Sequence, residues 1–117
     1  GPLGGMFSAL KKIESERIQF CPNDCPFLPG DLVKIMCTNK NDAHIKALLP
    51  LVNNKYEPTF LLCHHSVIGT ITSFIEEKNY KLMDWVKANN FQGIEFLDNK
   101  AFVNINDPST LKKYQDE

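Results

Sequence analysis

The sequence predicts an α+β fold, a small mixed or antiparallel sheet with helices on one face, in the order α-β-α-ββ-α-ββ-α. Three observations predict it. Segments 6–20 and 73–90 place apolar residues at helical spacing, while 59–71 is the most strand-like stretch and 94–105 folds back around Asp98-Asn99-Lys100. A hydrophobic content of 43% in 117 residues suits one domain, 6–117, with a core of its own.

The elements follow in order. Gly1-Pro2-Leu3-Gly4-Gly5 reads as the scar of a cleaved expression tag and is set aside. In 6–20, Phe7, Leu10, Ile13 and Ile18 share one side of a helix. Three prolines, Pro22, Pro26 and Pro29, make 21–30 a loop. Leu32, Val33, Ile35 and Met36 predict a short buried strand over 31–37, and Asp42 caps a helix bearing Ile45, Leu48 and Leu49 that Pro50 stops. The polar centre of 59–71, Cys63-His64-His65-Ser66, predicts a hairpin turn. Ser73 with Glu76 reads as a capping box opening a helix toward Asn90. On that helix Phe74, Ile75, Leu82, Trp85 and Val86 form a core arc that leaves Tyr80 and Met83 outside. Beyond Gly93, 94–97 pairs with 101–105, and Asp107 before Pro108 starts a last helix. The second half thus reads as two ββα units of shared architecture.

Charge restricts function. Lys plus Arg total 13 against 14 Asp plus Glu, and Arg17 is the single arginine, which argues against a nucleic-acid footprint. No apolar run reaches membrane-spanning length, so an intracellular location, cytoplasmic or nuclear, is expected with no membrane partner. Four irregularly spaced cysteines read as free thiols.

The candidate sites are weak. If zinc bound, its ligands would be Cys21, Cys25, Cys63 and His65, but their spacing does not match a zinc turn, so neither metal nor cofactor is expected. A Cys63 nucleophile would find His64 on the opposite strand face and His65 two residues away, with no legible oxyanion hole, so no catalytic residue is assigned. Glu76 and Glu77 are placed at a helix start, where the dipole favours acids. Gly69 stands alone in the centre of the chain, and the missing glycine-rich cradle argues against a nucleotide enzyme. A winged-helix order also fits, yet Lys81, Asp84 and Lys87 nearly cancel on its recognition helix.

The hairpin-helix-hairpin-helix order of the second half resembles in outline the small domain preceding the catalytic domain in some Nudix hydrolases. The resemblance implies an accessory domain of an enzyme; the Glu-rich Nudix box is not in this chain. The reading from the residues is a non-enzymatic adaptor or regulatory domain that binds another protein. Its contact surface is Tyr80 and Met83 with Phe7 and Leu10. The remaining alternative is a winged-helix or zinc-stabilised nucleic-acid-binding module.

Overall fold

The structure is a computed structural model that describes residues 2–22 and 31–96. The elements are α1 (Pro2–Lys12), β1 (Arg17–Gln19), α2 (Leu32–Thr38), β2 (Ala47–Val52), β3 (Lys55–Tyr56), β4 (Leu62–His64), α3 (Ile68–Glu76), α4 (Leu82–Lys87) and β5 (Phe91–Phe96). Single 3-10 turns, Pro58–Phe60 and His65–Val67, flank β4.

The run Ala47-Leu48-Leu49-Pro50-Leu51-Val52 is the central strand. β5 lies parallel to all of it, from Ala47 opposite Phe91 to Val52 opposite Phe96. A strand has two edges, so β4 and β3 share the other one, antiparallel at Ala47-Leu48 and at Leu51-Val52 respectively. β1 pairs antiparallel with β4. Hence β1, β2 and β5 run one way and β3 and β4 the other.

Pro50 survives in this strand because of that division. Its carbonyl accepts from the Glu57 N–H at 2.9 Å, and a strand residue's N–H and C=O point the same way. Its missing donor therefore faces the gap between β3 and β4 rather than β5. Asn53 and Asn54, with φ of 51° and 63°, then close a two-residue turn into β3, a conformation asparagine tolerates.

Both sheet faces are covered. Ala47, Leu49, Leu61 and Cys63 pack with Leu3, Met6 and Leu10 of α1, Ile71 of α3 and Trp85 and Val86 of α4. Leu48, Val52, Leu62 and Ile94 meet Leu32 and Met36 of α2 on the other side. The α+β mixture and the mixed sheet are as expected; the confinement of helices to one face is not. A strand buried on both faces loses its alternation, which is why 45–52 read as helix. Conversely, α2 buries Leu32 and Met36 and exposes Val33 and Lys34, one-sided burial at helical rather than strand spacing.

Other boundaries shift for local reasons. Residues 2–5 form the first turn of α1, with Leu3 fully buried. α1 ends at Lys12; Ile18 is instead a strand residue opposite Cys63. The predicted hairpin of 59–71 is β4 followed directly by a turn and α3, with the Ser66 N–H donated to His64 Nδ1 at 3.1 Å. Ser73 lies inside α3 and caps nothing, while Glu76 and Glu77 close the helix, at the end where its dipole disfavours acids. The single helix of 73–90 is two, because Lys78 turns left-handed (φ 59°): its N–H bonds Ile75 O and that of Asn79 bonds Phe74 O, a Schellman close.

Trp85 is fully buried, and its Nε1 donates to Thr70 Oγ1 at 2.9 Å. β5 pairs in parallel with β2 and is not one arm of an antiparallel wing among the described residues, so neither the winged helix nor the repeated ββα unit is seen. The partner strand 101–105 and the last helix lie outside the described residues. No helix among the described residues is long and apolar enough to cross a membrane.

Candidate functional site at the carboxyl ends of the parallel strands

In open sheets built on parallel strands, ligands bind outside the strands' carboxyl ends. Here that edge is stepped. Gln19, Leu62 and Leu48 lie in line across β1, β4 and β2, so β2 continues to Val52 beyond the end of β1. The turn Pro58–Phe60 fills the step, and β1 leaves past it through Phe20, Cys21 and Pro22.

Gln19 fastens the step together. Its Nε2 lies 2.8 Å from Phe20 O, 2.9 Å from Phe60 O and 3.3 Å from Leu61 O, while the Phe20 N–H donates to Leu61 O at 2.8 Å. Three carbonyls around one nitrogen dictate the amide's orientation, since the flipped form would set oxygen against oxygen. Its Oε1 is buried with no hydrogen-bond partner among the described residues, a lone acceptor beside the exit of β1.

Glu57 stands next along the step, half-buried, and its N–H holds Pro50 O. Burial raises its pKa above the ordinary 4.5, with Lys55 opposing the shift. Away from that edge, on the α1 side of the sheet, Tyr56 packs edge-on to Phe91, the first residue of β5, at 5.8 Å between centroids. A Cβ on Gly93 would lie 2.6 Å from Tyr56 Cε1, so only glycine admits this ring against β5. The rim can therefore present the Glu57 carboxyl group to a bound molecule, on a step that Gln19 holds in shape.

The residues singled out from the sequence do not converge. Cys21 is exposed, Cys25 lies outside the described residues, and Cys63 is buried, its thiol pushed up to about 12 by desolvation. His65 Nε2 is engaged with Leu10 O at 2.7 Å, at the last turn of α1. No group of three or more metal-ligating side chains occurs among the described residues. The nominated contact surface also breaks up: Tyr80 is 56% exposed, Met83 and Phe7 are half-buried against the core, and Leu10 is fully buried. Gln19 and Glu57 went unnoticed as site residues. The available signal was a short strand running straight into a segment with three prolines.

Comparison with known proteins supplies what those residues did not. The chain is 30% identical over 118 residues to the molybdenum cofactor guanylyltransferase of Photobacterium profundum, covering 97% of this chain and 59% of that protein. To the molybdenum cofactor guanylyltransferase of Vibrio parahaemolyticus it is 32% identical over 116 residues, covering 97% and 58%. The chain thus spans a little under three fifths of the length of these relatives. Its fold matches the crystal structure of the molybdopterin-guanine dinucleotide biosynthesis protein A of Archaeoglobus fulgidus with a TM-score of 0.76 at 19% identity, over 95% of this chain and 59% of that one. These matches overturn two expectations, the non-enzymatic adaptor and the exclusion of nucleotide enzymes; the relatives are enzymes that handle a nucleotide. The match to the family described as MobA-like NTP transferase domain takes in residues 1–93, from α1 into β5, and the chain belongs to that family.

Proposed function

We propose that this chain forms part of a nucleotidyltransferase that moves a guanylyl group from GTP to molybdenum cofactor, with the nucleotide site along the carboxyl ends of β1, β2 and β5. The observation that carries the reading is the alignment of 97% of the chain, at 30 to 32% identity, with enzymes of that activity. The stepped rim supports it, because a sheet of this kind presents ligands at that edge.

In such a transfer an acceptor oxygen of the cofactor attacks the α-phosphorus of GTP. A P–O bond forms there as the bond to the bridging α–β oxygen breaks, and pyrophosphate leaves with the electron pair. The work falls mainly to positioning. Gln19 fixes the exit of β1 against the turn that leads into β4. Glu57, its proton held more firmly than in an ordinary carboxylate, adds a second polar group on the same step.

The test is turnover by the whole natural protein that carries this sequence, given molybdenum cofactor and each of the four common nucleoside triphosphates in turn. GTP-dependent release of pyrophosphate with attachment of GMP to the cofactor is expected. Absence of turnover, or equal use of ATP or CTP, contradicts the assignment.

A further inference from the structure

The opposite end of the same strands carries a second, differently built cleft of about 370 Å³. It opens on the α2 side of the sheet. Arg17 is directly opposite His64, and the His64 N–H donates to Lys46 O at 2.9 Å, so the three residues stand in line across β1, β4 and the approach to β2. Lys40 comes in from the end of α2. Ile45, Leu48 and Leu62, members of the core beneath α2, make the floor.

The charge is lopsided. Three permanent cations, Arg17, Lys40 and Lys46, face a single carboxylate, Glu16, in a protein of formal charge -1. Among the described residues none of the three makes an ion pair; Glu16 lies 3.6 Å from His64 Nε2 instead. Two of the groups are held in place. Arg17 Nη1 is 2.8 Å from Cys37 Sγ, and His64 Nδ1 is 2.8 Å from Ser66 Oγ. A fixed guanidinium with unused donors beside two ammonium groups suits a phosphate, and the aliphatic floor suits an apolar body attached to it.

We propose that this amino-end cleft binds a small phosphate ester, its phosphate among Arg17, Lys40 and Lys46 and its apolar part on Ile45, Leu48 and Leu62. The site is separate from the rim: it uses the other ends of the strands, and its occupancy does not depend on which nucleotide the rim takes.

Titration of the protein with phenyl phosphate, followed by backbone amide NMR, tests the proposal, with inorganic phosphate and phenol as the two halves of the probe. Saturable shifts at Arg17, Lys46 and His64 are expected at about 1 mM phenyl phosphate, with inorganic phosphate weaker and phenol inert. Arg17→Gln and Lys46→Gln should each weaken binding about tenfold, as befits loss of one charge-assisted contact, while Lys34→Gln, on the exposed side of α2, leaves it unchanged. Circular dichroism verifies that each variant folds. The proposal is overturned if phenyl phosphate gives no saturable shift in the cleft, or if Lys34→Gln weakens binding as much as Arg17→Gln does.

Discussion

The two ends of the parallel strands are held by different forces. At the carboxyl end a neutral amide bonds three carbonyls and keeps a buried oxygen without a partner among the described residues. At the amino end permanent charges surround an open cleft over an aliphatic floor. Buried neutral hydrogen bonds contribute to stability because losing one partner strands the others; exposed charges contribute little because water replaces their partners. The rim's geometry is therefore coupled to folding, whereas the cleft's charges can be exchanged with little effect on the fold.

The largest effect should show that both ends belong to one cooperative unit. Trp85→Ala removes the largest fully buried side chain, and about 3 to 5 kcal/mol should be lost in a single urea transition by circular dichroism. Two separated transitions would break the comparison by making the ends independent. Next, Gln19→Leu should cost about 1 to 3 kcal/mol, from the loss of the amide's hydrogen bonds to Phe20 O and Phe60 O. Arg17→Gln at the cleft should cost less than about 1 kcal/mol. The reverse ranking would refute the contrast.

Thiol chemistry sharpens it further. Cys63 neighbours the cationic cleft in sequence, beside Leu62 and His64, but packs into the core on the α1 side, where burial pushes its thiol up to about 12. At pH 8 iodoacetamide should label exposed Cys21 and spare Cys63 until the protein unfolds, as read by peptide mass spectrometry. The smallest effect concerns Glu57. With its folded pKa raised, the unfolded chain gives up the proton first, so stability falls as pH rises from about 4.5 through the folded value. Glu57→Gln should flatten that part of the pH–stability curve; an unchanged slope would mean the carboxyl group is not desolvated.

How much of this was legible depends on whether the signal was local. The arc through Leu82, Trp85 and Val86 could be read, because α4 buries one side only and its period survives in the sequence. β2 could not, because burial on both faces erases alternation, and Pro50 reads as a helix stop unless the gap between β3 and β4 is known. The rim was hidden for another reason. Gln19 reaches carbonyls 41 and 42 residues away, and nothing near Gln19 in sequence announces them. Residues 1–5, three glycines with a proline and Leu3, give a composition that hides the one side chain among them that enters the core, Leu3. The family itself was visible only by alignment, since the chain carries no glycine-rich phosphate loop and covers under three fifths of its relatives.

The central claim is that the nucleotide sits at the carboxyl ends of β1, β2 and β5. Amide NMR of the whole natural protein with Arg17→Gln and Lys46→Gln together, which silences the cleft, measures this most directly during a titration with GTP. The account predicts saturable shifts at Phe20, Cys21 and Glu57, with none at His64 or Ile45. Shifts confined to His64 and Ile45, with the rim unmoved, would contradict it.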